Sequence, residues 1–252
     1  MGMMEMMEMS PRVKITELQL PITGLYDSIF PHFDGRVFHG TDESIHDILR
    51  CGEIRPNLLN QYPSPYGGYS SFFKKRGCVA LFDYRSTTTE HFKEHYSKCM
   101  PTYPAKSGGV LAYLFVSNSV YPDLLPWTLW KEEKTWSDMI VPYIEIGHRG
   151  PITLEKIEEI LLVLVINDPV KKGGKKSLDD ELVDLIHRAF SDPPPSKERV
   201  SDEMLNDPNL GHFWRNAYAL RKLLEYEWKM AKALRRTFEQ LEQAMKTDRK
   251  EE

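Results

Sequence analysis

Hydrophobic residues in the first 170 positions form short runs that Gly, Pro and Ser residues separate. Cys78–Phe82 and Val110–Val116 are continuous apolar runs of strand length, and they predict two buried strands. Val13–Leu20 alternates weakly before Pro21 and predicts an edge strand. Further strands are predicted at Arg36–Phe38, Met139–Ile146 and Leu161–Ile166. The pattern as a whole predicts a small, mixed α+β sheet domain.

Two short helices are predicted among these strands. Asp42 is placed to cap a helix that runs to Arg50, and Gly52 is placed to end it. The apolar residues of this helix recur at helical spacing: Ile45, Ile48 and Leu49. Pro151–Glu159 predicts a second short helix, which leads into the last strand.

The composition changes after Pro169. Lys171–Lys176 predicts a charged linker, Leu178–Phe190 an amphipathic helix, and Pro193–Pro195 a stiff break. Gly211–Lys246 carries a single apolar stripe and predicts a long helix, which we expect to pack on the sheet domain, a partner or its own copy. Three regions are therefore predicted. Residues 1–20 are a disordered start with the edge strand, residues 21–170 are the sheet domain, and residues 171–252 are a linker with a helical extension.

The composition excludes some classes of protein. With 41% hydrophobic residues in 252, the chain can build a core, and its net charge of -4 predicts no bulk attraction to nucleic acid or to a membrane surface. No apolar run is long enough to span a bilayer. The three cysteines, Cys51, Cys78 and Cys99, lack metal-binding spacing, which favours reduced thiols in a cytoplasmic protein and no metal site.

The segment Arg36–Thr41 carries the first candidate site. His39 follows a predicted strand and can hold a sugar hydroxyl, Gly40 lets a ligand approach the backbone, and the Thr41 hydroxyl can bond to polar groups. Taken alone, a histidine at a strand end more often has a structural role.

A second candidate precedes the Cys78 strand. Tyr69, Ser70, Ser71 and Phe72 offer hydroxyl groups beside flat aromatic faces, which suits the stacking of a ring. Lys74–Arg76 could meet phosphates. The alternative is an exposed loop with a solvated charge run. In the same region we interpret Arg85 as a structural partner of Asp83.

The third candidate is Glu145, which lies between Ile144 and Ile146 in a predicted strand. Alternation puts it on one side with Tyr143 and Gly147. A carboxylate there can stabilise a positively charged oxocarbenium ion or accept a proton from an attacking hydroxyl.

Taken in order, these segments resemble the ADP-ribosyltransferase superfamily, most closely its toxin-like branch that modifies nucleic acid or protein. The resemblance covers residues 36 to 166 and implies a split β-sheet with NAD as the cofactor. It implies that Glu145 is catalytic, and that NAD is bound by Arg36, His39, Gly40, Thr41, Tyr69, Ser70, Ser71 and Phe72. Tyr143 stands where toxins that modify arginine have a second acid or Gln, so those toxins match poorly.

The resemblance predicts an ADP-ribosyltransferase of the toxin or phage-defence kind, with a nucleic-acid or protein acceptor. An NAD hydrolase and a tRNA 2′-phosphotransferase-like enzyme on the same fold stay open. A third hypothesis is a non-enzymatic binding protein that works through its C-terminal helix. That helix is also the expected site for an antitoxin or for a second copy of the chain. His148 has no assigned role.

Overall fold

The computed structural model describes residues 13–21, 24–58, 71–102, 109–166 and 201–248. The chain divides into two compact units, of which the first holds most of residues 1–164 and the second most of residues 165–252. The described residues of the first unit form a mixed α/β structure around a large sheet, and those of the second form two helices. No described helix has the length and hydropathy needed to cross a membrane.

The strands of the described residues form two sheets. Their bounds are β1 Lys14–Pro21, β2 Val37–Thr41, β3 Glu53–Ile54, β4 Cys78–Asp83, β5 Gly109–Val116, β6 Leu124–Leu125, β7 Glu145–Arg149, β8 Ile152–Thr153 and β9 Ile157–Ile166. Seven strands form one sheet in the order β1-β9-β5-β2-β4-β7-β6, and β3 pairs with β8. At the centre, β2 runs antiparallel to both β4 and β5, and β7 runs antiparallel to both β4 and β6.

The helices are short in the first unit and include one long helix in the second. Their bounds are α1 Leu25–Phe33, α2 Ile45–Cys51, α3 Phe72–Lys75, α4 Glu90–His95, α5 Leu129–Glu132, α6 Asp202–Leu205 and α7 Gly211–Asp248. Single 3-10 turns lie at Tyr96–Lys98, Asn118–Asp123 and Leu154–Lys156. Helix α4 begins where the hydroxyl of Thr89 accepts a hydrogen bond from the Phe92 amide at 3.2 Å.

The core of the sheet is aromatic. Phe38 of β2 is fully buried, and its ring centroid lies 4.3 Å from that of Phe33 of α1. The other rings within 6 Å of Phe38 belong to Phe82, Tyr84, Tyr113 and Phe115. Each aromatic side chain buries about 150–250 Å². This cluster therefore fixes α1 against the centre of the sheet.

Several predicted elements are confirmed. The two strongest apolar runs form β4 and β5, and the weak pattern before Pro21 forms β1 at the edge of the sheet. Helix α7 matches the predicted C-terminal helix. The mixed sheet domain is confirmed as a class, although its sheet is large where a small one was predicted.

The predicted bounds of the first site strand are wrong. Strand β2 runs from Val37 to Thr41, so His39 lies within the strand and not beyond its end. The strand continues because β5 pairs with it as far as Thr41, opposite Ala112. The predicted cap is also wrong: Ser44 precedes α2, and Asp42 accepts hydrogen bonds from the Ser44 amide at 2.9 Å and from its hydroxyl at 2.6 Å. Gly52, with a φ of 75°, does end the helix.

Two predictions near the end of the sheet are wrong as well. The segment Met139–Ile146 is not a strand, because a turn places Tyr143 at a φ of 66° and β7 begins only at Glu145. Pro151–Glu159 is not a helix. It forms β8, a 3-10 turn and the start of β9, which extends the final strand from the predicted Leu161 back to Ile157.

Some predictions lie outside the described residues. These are the start of the chain before residue 13, the loop at 59–70 that includes Tyr69 and Ser70, the linker at 171–176, the helix at 178–190 and the prolines at 193–195.

Candidate functional site

Three strands at the centre of the sheet bring the candidate residues into two rows. Phe38 pairs with Phe82, and Phe82 pairs with Glu145, so these residues form one row across β2, β4 and β7. Two positions along each strand, on the same face, lie Gly40, Ala80 and Gly147. The face that carries the Glu145 carboxylate therefore has a floor of small residues beside it.

The ladder between β2 and β4 is short. It contains Val37 opposite Asp83 and Phe38 opposite Phe82, whereas the pairing of β2 with β5 continues to Thr41. The two strands thus separate after Phe38. The separation begins at His39.

His39 reaches across this separation to β4. Its Nδ1 atom lies 3.0 Å from the carbonyl oxygen of Ala80. A carbonyl only accepts, so Nδ1 carries the hydrogen and donates it. Burial lowers the pKa of His39 below its ordinary value, which keeps the ring neutral at pH 7. The Nε2 atom of a neutral ring in this tautomer is an acceptor, as a sugar hydroxyl requires.

His39 and Glu145 are separated by one intervening strand. Twice the usual strand spacing puts their backbones about 10 Å apart. Strict alternation would put the two side chains on opposite faces, because His39 is one residue beyond the row of Phe38. The separation of β2 from β4 begins at this position, and the His39 ring contacts the backbone of β4 there.

Glu145 is a half-buried carboxylate at the first position of β7. Its Oε2 atom accepts a hydrogen bond from the Val141 amide at 2.6 Å. Burial raises the pKa of Glu145 to about 6, and the bond from Val141 opposes that rise. Burial, and to a smaller extent the negative charge of Glu145, raises the pKa of the Cys99 thiol to about 12.

An aromatic group beside Glu145 was missed by sequence reasoning. Tyr143, two residues before the acid, stacks on His91 of α4 with ring centroids 4.6 Å apart and planes 7° apart. Trp127 and His95 also contact Tyr143, at centroid distances of 4.5 Å and 5.2 Å. These residues come from separate segments of the chain, so no spacing in the sequence signals the group. The face of Tyr143 that lies against His91 is therefore occupied.

Arg36 lies on the other side of β2 from Glu145. Its guanidinium donates to Glu158 at 2.7 Å and to Glu159 at 3.0 Å, and it lies 3.5 Å above the Phe115 ring. Because these partners belong to β5 and β9, the structure does not bring Arg36 to the row of Glu145.

Ser71 and Phe72 belong to a different cluster. Ser71 is buried and bridges to Met139, and the buried Phe72 ring lies beneath the Arg76 guanidinium at 3.7 Å. The Phe72 ring packs with Phe73 and Cys78, so its face is occupied. This cluster covers the floor of the site at two residues, because Phe73 lies against Gly147 and Ala80 packs against the cluster.

Three other residues singled out in the sequence are Thr41, His148 and Arg85. Thr41 is buried at the end of β2. His148 alternates with Glu145 on β7, so it faces away from the carboxylate, and its Nδ1 atom lies 3.4 Å from the Gly150 carbonyl oxygen. The predicted pair of Arg85 with Asp83 is confirmed by two bonds of 2.8 Å and 2.7 Å.

We expect Gly147→Ala to destabilise the sheet. A Cβ atom there would lie 2.8 Å from Cε1 and 2.9 Å from Cγ of Phe73, whose ring is buried. Overpacking of this kind costs about 1–3 kcal/mol in the free energy of unfolding, which urea titration would measure. The same substitution in a Phe73→Leu background is the control, because the smaller side chain relieves the clash and the cost should fall there. An equal cost in both backgrounds would contradict this account.

The α7 helix carries the cations on which the binding hypothesis depends. Four of them are exposed and recur at spacings of seven, three and four residues: Lys222, Lys229, Lys232 and Arg236. Such spacing places them along one side of the helix. A role for this side in binding nucleic acid, an antitoxin or a second copy stays a prediction.

Comparison of the chain with protein-family models, with curated proteins and with solved structures finds no match.

Proposed function

We propose that the chain is an NAD-dependent ADP-ribosyltransferase of the toxin or phage-defence kind, which cleaves the bond between nicotinamide and ribose and transfers ADP-ribose to a nucleic-acid or protein acceptor. The observation that carries the proposal is the Glu145 carboxylate. It is half buried, held by the Val141 amide, and set beside the small residues Gly40, Ala80 and Gly147.

The resemblance to ADP-ribosyltransferases implies a division of roles among these residues. In this proposal NAD lies against the Glu145 carboxylate, which is partly exposed at the start of β7. The Nε2 atom of His39 accepts a hydrogen bond from a ribose hydroxyl. Glu145 stabilises the oxocarbenium ion that forms as nicotinamide leaves, because an anion in a partly buried site interacts strongly with developing positive charge. The carboxylate then accepts the proton of the attacking acceptor group.

The resemblance to ADP-ribosyltransferases implies a split sheet. The seven strands form one sheet, in which the ladder between β2 and β4 is short and ends beside His39. In this proposal the nicotinamide ring lies beside the aromatic group of Tyr143, His91 and Trp127, where Tyr69 or Phe72 was expected to stack on it.

The charges disfavour the phosphotransferase alternative. That reaction needs cations to grip a phosphate, and Arg36, Lys74, Lys75 and Arg76 were the candidates. Arg36 is paired with Glu158 and Glu159. Two of the others pair with carboxylates of the segment before β7: Lys75 with Asp138 at 2.5 Å, and Arg76 with Glu133 and Asp138.

The direct test is release of nicotinamide from NAD by the purified full chain, followed by chromatography. Release in buffer alone indicates hydrolysis, and release that requires added single-stranded DNA, RNA or protein indicates transfer. Absence of release with every acceptor class would refute both activities.

We expect His39→Ala to lower nicotinamide release on the order of tenfold, because it removes a hydrogen bond to ribose. His32→Ala is the matched control, since His32 lies on α1 away from the row of Glu145. Thermal unfolding of both variants would show that the fold survives. Equal activity in His39→Ala and the wild type would remove His39 from the proposal.

A further inference from the structure

A cavity of about 480 Å³ lies between α1 and α4, and we call it the α1–α4 pocket. Four aromatic side chains line it: Tyr26, Phe30, Phe92 and Tyr96. The Tyr26 and Tyr96 rings stack with centroids 5.8 Å apart, and Phe92 and Tyr96 are almost parallel at 6.0 Å. The Tyr26 hydroxyl is held by a hydrogen bond to that of Tyr84 at 3.2 Å. The aromatic walls are therefore fixed before any ligand arrives.

The charged residues of the pocket favour a cation. Asp27 of α1 and Asp34, which directly follows α1, carry exposed carboxylates, and both line the cavity. Asp34 accepts a hydrogen bond from the Thr87 hydroxyl, which orients it. Among the described lining residues the cation is Lys93, and its ammonium pairs with Glu90 at 3.0 Å. The pocket therefore presents two carboxylates and one ammonium that is already paired. This balance of charge disfavours a ligand that carries a phosphate.

We propose that the α1–α4 pocket binds the guanidinium group of an arginine side chain presented by a protein partner. Aromatic faces attract cations, and guanidinium stacks on them more readily than an ammonium because it is planar and weakly hydrated. Its donors also match a carboxylate such as Asp34 in a bidentate arrangement. The cavity is larger than one guanidinium, so the stem of the side chain and part of the neighbouring peptide also fit.

The pocket shares a helix with the candidate site. Phe92 and Tyr96 line the pocket, whereas His91 and His95 on α4 contact Tyr143, two residues before Glu145. An arginine in the pocket therefore holds its partner protein near the carboxylate. Binding itself does not depend on the NAD reaction, so the test below contains no NAD.

The test titrates the full chain with N-acetyl-arginine methylamide by calorimetry or by nuclear magnetic resonance. The corresponding citrulline compound is the matched probe, because it has the same shape without the charge. We expect the arginine probe to bind at least about fivefold more tightly than the citrulline probe. Asp34→Asn and Tyr96→Leu should each weaken the arginine probe about fivefold, and Asp123→Asn, an exposed acid away from the pocket, should leave it unchanged.

Three results would overturn the proposal: equal binding of the arginine and citrulline probes, tighter binding of adenosine monophosphate than of arginine, or no effect of Asp34→Asn on the arginine probe. Asp34 is exposed, and asparagine keeps the oxygen that accepts from Thr87, so this variant is expected to fold. The Asp34→Asn variant therefore tests the proposal even if Tyr96→Leu fails to fold.

Discussion

Replacing Glu145 by Gln should lower nicotinamide release by about 10²–10³-fold, the loss typical of a group that stabilises transition-state charge. Glutamine keeps the shape of the side chain and can still accept the hydrogen bond from Val141. It lacks the negative charge that the oxocarbenium ion requires. Glu155→Gln, an exposed acid on the 3-10 turn before β9, is the control. More than a tenth of the wild-type rate in Glu145→Gln would contradict the assigned role.

The same substitution should raise stability above neutral pH. The folded-state pKa of Glu145 is raised from 4.5 to about 6, so ionisation opposes folding, and the wild type loses stability as the pH rises through this interval. The difference amounts to about 2 kcal/mol. Glu145→Gln does not ionise and should be more stable than the wild type at pH 8, but not at pH 4. Activity of the wild type should rise with the same midpoint, near pH 6.

Phe38→Ala should cost about 3–5 kcal/mol in the free energy of unfolding, the largest stability effect that we expect from a single substitution. Its ring contacts five other aromatic rings at the centre of the sheet, and the cavity left behind cannot be refilled by small movements. Urea titration followed by aromatic circular dichroism would measure it. Leu58→Ala, half exposed, should change the value by less than about 0.5 kcal/mol. A cost below about 1 kcal/mol for Phe38→Ala would show that the cluster is not the core.

The sequence predicts strands well where apolar residues are continuous. Val110–Val116 is buried throughout, so every position had to be apolar and the run had the length of one strand. It failed where local pattern and tertiary pairing disagree. The segment Pro151–Glu159 was predicted as a helix, but Glu159 accepts bonds from Lys14, Thr16 and Arg36, and these hold the segment as a strand.

The candidate site could be predicted only in part. The sequence identifies His39 and Glu145 because each is a polar residue within an apolar strand. In the sheet, one strand, β4, lies between the strands that carry them. The contact of Tyr143 with His91 and Trp127 was not predictable, since it depends on a left-handed turn at Tyr143 that no glycine marks. The pairing of Arg36 with β9 could not be predicted, because more than one hundred residues separate the two partners along the chain.

The position of β9 also has a consequence for how the chain folds during its synthesis. This strand is made last of the seven, yet it lies between β1 and β5, both of which are made earlier. Until residues 157–166 emerge, one edge of β5 has no neighbour, and β5 is among the most apolar segments of the chain. A nascent chain halted before residue 157 should therefore aggregate, and in the complete chain closure of the sheet must wait for its final strand.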